Sequence, residues 1–177
     1  MKINLLSIKG LVCLVTTLNL LSGPAVWSQT RTRIPHVVFL ISDDPINYSA
    51  ELTIPPFADS LQKSGLFKTT VLKGHGQHES YRFEGLEVIA KADVLVIFFR
   101  RTALSHQQMD QIKSYIRSGR SVVGIRSADH GFSIRGKLAV EGHEGWWGFV
   151  PDILGHEYKG HDSDNLGTVI TLNSSNA

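Results

Sequence analysis

Val122-Val123-Gly124-Ile125-Arg126-Ser127-Ala128-Asp129-His130-Gly131-Phe132 is the stretch on which the reading of this chain turns. A short apolar run stops abruptly and opens into Arg, Ser, Asp and His. A strand covered on both faces reads as an unbroken apolar run. In an open parallel α/β sheet, ligands bind just beyond the carboxyl ends of such strands. The junction is therefore a fold signal and a site signal together.

The same pattern recurs upstream. Val37-Val38-Phe39-Leu40-Ile41 ends at Ser42-Asp43-Asp44-Pro45, and the most apolar run after the N-terminal region, over 94–99, ends at Arg100-Arg101. Phe67, Thr69 and Val71 alternate with Lys68, Thr70 and Leu72, the weaker period-two pattern of an edge strand. Helical signals separate these runs. Ile54-Pro55-Pro56 is expected to open a helix with Phe57 and Leu61 on one face and Gly65 as its stop. A short helix is expected over 86–90. Ser105 and Gln108 have the spacing of a capping box, Leu104 can staple to Met109, and Met109, Ile112 and Ile116 keep helical spacing up to a glycine cap at Gly119. Residues 131–165, rich in Gly, His and Trp, are expected to be loops with one short helix, followed by a last strand over 167–172. Strand–helix alternation with right-handed crossovers gives a parallel sheet. The edge-like second strand suggests the order 2-1-3-4 of flavodoxin-like sheets, which sets the polar ends of strands one, three and four side by side.

Composition narrows the function classes. Lys2 and Lys9 precede an apolar run over 11–21, and Val26-Trp27-Ser28 fits signal-peptidase cleavage after Ser28. The run is short for a bilayer span of about 20 residues. Residues 1–28 are thus expected to be a signal peptide and 29–177 one exported domain, periplasmic or secreted, with no membrane association after cleavage. Cys13 is the only cysteine and lies in that leader, so the remainder has no disulfide, thiol nucleophile or Cys-ligated metal. Without Lys2 and Lys9, 16 basic residues face 16 acidic ones. No basic block with interleaved aromatics occurs, so no nucleic-acid partner is expected.

Several residue groups have the chemistry of a site. Asp43 and Asp44 can share a proton, bind a cation or accept hydrogen bonds from sugar hydroxyls, while Asp-Asp-Pro is equally a turn signal. Arg100, or Arg101 beside it, can clamp an oxyanion or pair with those aspartates. In the densest cluster, Arg126 can polarise an oxygen and His130 can serve as general acid or base tuned by Asp129. Ser127 would need a base in reach to act as a nucleophile, and the Gly124–Ala128 sequence is not a G-x-S-x-G elbow. His143, His156 and His161, with Asp162 and Asp164, contain metal-ligand types but lack the tight spacing of H-E-x-x-H. His156 and His161 are the candidates should a metal bind; otherwise they are polar loop residues. Trp146 and Trp147 can stack on a sugar face or enter the core.

Taken together, the 38–44 run, Leu52-Thr53-Ile54-Pro55-Pro56-Phe57-Ala58, Ala92-Asp93-Val94-Leu95-Val96-Ile97-Phe98-Phe99-Arg100, the 104–109 and 123–132 stretches, and the Gly155–His161 segment resemble the ThuA-like (trehalose utilisation) domain family, in the versions found in exported bacterial proteins. The resemblance implies a class I glutamine amidotransferase-like, flavodoxin-like α/β fold and an association with the catabolism of sugars and keto-sugars. Two departures stand out. Amidotransferases place a Cys in a G-[IV]-C-x-G turn where this chain has Arg126, which removes glutamine hydrolysis by that route. Members of the family also usually run longer, so the fold is expected to be incomplete at its C-terminus.

The leading expectation is a carbohydrate as small-molecule partner, bound at the carboxyl edge of the sheet by Asp43, Asp44, Arg100, Arg126, Ser127 and His161. Asp129 and His130 would carry any proton transfer or redox step at a sugar carbonyl. The alternatives are a non-catalytic carbohydrate-binding module and a metal-dependent hydrolase built on His130, His156 and His161. No cofactor is assigned, and a homo-oligomer is left open.

Overall fold

The first strand, β1 (His36–Ser42), is buried at all seven positions. The computed structural model describes residues 33–157 and 159. The expected leader over 1–28, His161 with Asp162 and Asp164, and the expected strand over 167–172 lie outside the described residues. Alternate side chains of β1 enter two separate cores, which is why its sequence shows no polar face. Val37, Phe39 and Ile41 pack with Ala50, Ile54 and Ala58 of helix α1 (Ala50–Lys63). Val38 and Leu40 belong to a larger core with Leu86, Ile89, Met109 and Ile112.

Around β1 stand β2 (Lys68–Gly74) on one side and β3 (Val94–Phe98) on the other, both parallel to it. A two-residue β4 (Leu104–Ser105) leads into helix α2 (His106–Arg117), and β5 (Ser121–Gly124) then pairs in parallel with β3. The sheet order is β2-β1-β3-β5, the order expected from the edge-like second strand. The register sets Phe39 level with Val71 and Val96, and Val96 level with Val123. β5 ends the sheet among the described residues, and Val123 is exposed there. Among the described residues no helix is long and apolar enough to cross a membrane.

One helix departs from expectation. α1 begins at Ala50, so Pro55 and Pro56 lie inside it and do not open it. Both prolines face solvent, where water can satisfy the carbonyls that lose their helical donors. The buried stripe is accordingly Ala50, Ile54 and Ala58, while Phe57 is half-exposed and meets Phe39 edge-on at 6.2 Å. α2 starts as expected, with Ser105 Oγ accepting from the Gln108 amide at 3.3 Å. The capping box is only half formed, because the Gln108 side chain turns away to bond both backbone groups of Phe83. Gly119, at φ +75°, ends the helix in the left-handed region that suits glycine.

The irregular segment after β5 is held by aromatic packing. Rings of Tyr81, Phe83, Phe99, Phe132 and Phe149 touch in sequence, with successive centroids 4.9–5.7 Å apart. Trp146 closes the chain of contacts against Phe132 and Phe149. The expected short helix appears as a π-helical segment, Phe149–Leu154. An unexpected strand β6 (His143–Glu144) pairs antiparallel with β4. Burying each such Phe contributes about 1.5–3 kcal/mol, so the loop beyond β5 is anchored to the core.

Candidate functional site at the carboxyl ends of the strands

The polar ends of β1, β3 and β5 converge through a residue that the sequence reading left aside. Asn47 is fully buried. Its Nδ2 donates to the Phe98 carbonyl, at the end of β3, at 2.7 Å. Its Oδ1 accepts from the Ser127 hydroxyl, just beyond β5. Its own backbone is fixed to the end of β1 by a bond from its amide to the Asp44 carbonyl at 2.9 Å. One residue thus ties three strand ends together, two through its side chain and one through its backbone. Two further backbone bonds, from the Arg101 amide to the His130 carbonyl and from the Thr102 amide to the Gly131 carbonyl, both 2.8 Å, lock the loop after β3 to the turn after β5.

That turn is strained. The chain leaves β5 through Ile125 in extended geometry and enters a short 3-10 turn, Arg126–His130, with Arg126 at φ 44°. A non-glycine residue in this region costs roughly 1–2 kcal/mol. In hydrolases a strained strand-to-helix turn presents a nucleophile; here it presents a guanidinium. The guanidinium carbon lies 3.9 Å from the centroid of the Tyr48 ring, a cation–π contact that orients it. Tyr48 (φ 52°), Ser49 (φ 53°) and Arg101 (φ 53°) are the other non-glycine residues with left-handed backbone among those described. All four belong to the segments that follow β1, β3 and β5.

Between these segments lies a cavity of about 370 Å³. Arg100, Arg101, Arg126 and Arg135 line it, with Tyr48, Ser127, Asp129 and His130 completing the wall. A second cavity of about 280 Å³ shares Asp129, His130 and Arg135 with the first and continues past Trp146, Trp147 and Pro151. His130 therefore stands on a wall common to a cationic lobe and an aromatic lobe.

The electrostatics favour neutral His130. Burial pushes its imidazole below the ordinary value of 6.5, and Arg101, Arg135 and Arg100 push the same way. Asp129, with Oδ1 3.6 Å from His130 Nε2, opposes them. Arg100 Nε approaches Asp44 Oδ2 at 3.2 Å with both side chains mostly buried. The pair is close but poorly aligned, so neither atom has a well-directed hydrogen bond. Asp43 is held differently. Its Oδ1 accepts from the Tyr81 hydroxyl at 2.7 Å, and the same hydroxyl lies 2.6 Å from the Gly74 carbonyl. Burial and the hydrogen bond to Asp43 push the Tyr81 phenol far up, so it stays a donor.

The residues expected to meet do so in part. Arg100, Arg126, Ser127, Asp129 and His130 line the cationic cavity. Asp44 stands behind it as the partner of Arg100, and Asp43 is engaged by Tyr81; neither lines the cavity. Ser127 commits its proton to Asn47, an arrangement of an anchor and not of an activated nucleophile. His143 lies in β6, and His156 is exposed. Among the described residues no three of His, Cys, Asp and Glu converge on a metal position. Trp146 packs against the core while Trp147 remains 65% exposed beside the aromatic lobe. Asn47, Tyr48 and Arg135 were not anticipated. Asn47 and Tyr48 sit one short loop beyond the first strand, a position that is itself a signal; Arg135 lies in a loop with no pattern to mark it. A larger cavity of about 410 Å³ lies between the 86–91 turn and α2. Two of its polar residues are engaged by backbone: Arg120 bonds the carbonyls of Ala90 and Ala92, and Tyr115 bonds that of Ser121.

The class that these features define is an open parallel α/β domain with a cavity at the carboxyl rim of its sheet. Compared with protein-family models, curated proteins and solved structures, the chain matches none.

Proposed function

We propose that this chain is an exported ThuA-like domain of flavodoxin-like, class I glutamine amidotransferase-like fold, and that it binds a sugar or keto-sugar at the carboxyl rim and moves a proton on it. The observation that carries the reading is the position of His130, on the wall between a guanidinium-lined lobe and a tryptophan-lined lobe. A neutral imidazole can take a proton from a carbon beside a carbonyl. The C–H electron pair then forms the carbon–carbon double bond and the carbonyl π pair moves to oxygen, where the guanidinium-lined lobe stabilises the oxyanion. The proton of the adjacent hydroxyl then passes to that oxygen, its carbon becomes the new carbonyl, and the imidazolium returns its proton to the former carbonyl carbon, which completes an isomerisation with no other reactant consumed. Glutamine hydrolysis does not fit, since the turn after β5 carries Arg126 in place of a thiol.

The test is hydrogen exchange at the substrate. Keto-sugars incubated with the protein in D2O are expected to gain deuterium beside the carbonyl, as read by NMR, and His130→Ala is expected to lose this. No exchange with any keto-sugar, or equal exchange by His130→Ala, refutes the catalytic reading. A second reading, binding without turnover, is favoured by the engagement of the Ser127 hydroxyl with Asn47. It predicts saturable sugar binding with no exchange.

A further inference from the structure

We infer that the ligand of this rim is an acidic sugar, one whose ring carries a carboxylate or phosphate that seats in the cationic lobe. The inference rests on the carbohydrate reading above and deepens it. A neutral sugar needs hydrogen-bond donors and acceptors in balance and an aromatic face. The cationic lobe instead offers four guanidiniums against the single carboxylate of Asp129. Arg100 has Asp44 beside it and Arg101 has contacts of its own, which leaves Arg126 and Arg135 to face Asp129 in the lobe. Gathering like charges is unfavourable unless an anion offsets it.

Three independent features point to an oxyanion. First, Arg126 and Arg135 make no hydrogen bond or ion pair with any described residue, yet both face the cavity. Arg126 is held ready by the Tyr48 ring, which leaves its planar fork of donors unused. That fork matches a carboxylate or phosphate with two parallel bonds. Second, Arg100 Nε is buried without an aligned partner at the edge of the same lobe. Third, Tyr48, Arg101 and Arg126 hold left-handed backbone and all line this one cavity. Each strained residue costs on the order of 1–3 kcal/mol, a cost tolerated where side-chain placement is required.

The ring of the ligand has a place as well. The aromatic lobe joins the cationic one through Asp129, His130 and Arg135, and Trp147 offers an exposed indole there. An anion seated at Arg126 and Arg135 would set the attached sugar carbons beside His130 and its ring toward Trp147.

Calorimetric titration of the full chain tests this with glucuronate, glucose 6-phosphate, glucose, acetate and inorganic phosphate. Glucuronate or glucose 6-phosphate is expected to bind at least tenfold tighter than glucose, acetate or phosphate. Whichever is tighter identifies the anion. The preference over glucose is expected to shrink with added salt and to fall about tenfold in Arg126→Gln and in Arg135→Gln. Both arginines are solvent-exposed, and thermal melting checks that the variants fold. Trp147→Ala is expected to weaken the acidic sugars and leave acetate and phosphate unchanged. Equal affinity for glucose and glucuronate overturns the acidic assignment and leaves the carbohydrate reading standing. Acetate or phosphate binding as tightly as the acidic sugars, or no binding by any sugar, overturns both.

Discussion

Replacing Asn47 by alanine should loosen two strand ends at once. The side chain is fully buried and makes two hydrogen bonds, one to the Phe98 carbonyl at 2.7 Å and one from the Ser127 hydroxyl. Each bond contributes a net of about 1 kcal/mol, and a buried group left without its partner costs a further ~1–3 kcal/mol. Ser127 lines the cavity and can turn to water, so its share is small; Phe98 is buried, so its carbonyl carries the larger share. The sum is roughly 2–4 kcal/mol, a large fraction of a typical domain's stability of about 5–15 kcal/mol. Urea denaturation should show this as a lower midpoint with an unchanged slope. A double-mutant cycle with Ser127→Ala should give a coupling of about 1 kcal/mol, since the two residues share one bond. A loss below about 0.5 kcal/mol for Asn47→Ala, the range typical of surface substitutions, would refute the claim that this amide clamps the rim.

Three further outcomes follow from the same geometry. At Arg126, with φ 44°, glycine should be more stable than alanine by about 1 kcal/mol, the reverse of the usual order; denaturant midpoints of Arg126→Gly and Arg126→Ala decide it. NMR titration of His130 should give a midpoint below 6.5, and Asp129→Asn should lower it further, because that carboxylate opposes the burial and the arginines. The unfolded chain takes up this proton at higher pH than the folded one. The His130 contribution is therefore neutral above the unfolded value and becomes destabilising as pH falls toward the folded midpoint; pH-dependent denaturation of wild type and His130→Gln measures the difference. Tyr81→Phe removes the hydroxyl between Asp43 and the Gly74 carbonyl and should cost roughly 1.5–3 kcal/mol, as for other bonds to charged groups, again by denaturation.

Much of the fold was legible because burial on both faces writes itself as unbroken apolar runs. Those of β1 and β3 end where the strands end to within a residue, and the alternation in β2 marked it as an edge. The start of α1 was not legible. Prolines favour a first turn because the N–H they lack has no helical partner there, yet α1 carries them in its interior on its solvent side, where water can reach the freed carbonyls. The capping box was half legible: spacing identifies Ser105 as a cap, but the Phe83 backbone competes for the Gln108 side chain. Placement at strand ends groups Arg100, Arg126, Ser127, Asp129 and His130, and these five line one cavity. It could not separate residues that face the cavity from residues that brace it. Asp43 and Asp44 have the same chemistry in sequence, and only the positions of Tyr81 and Arg100 show that both brace. Asn47 escaped because a single amide between a strand and a helix reads as an ordinary turn residue.

A crystal structure of the full chain grown with glucuronate tests the central claim most directly. The account predicts the sugar at the carboxyl ends of β1, β3 and β5, its carboxylate about 2.7–2.9 Å from the Arg126 guanidinium and its ring between His130 and Trp147. Glucuronate bound on another face of the molecule, or an empty rim with Arg126 turned away from the cavity at saturating ligand, would contradict it.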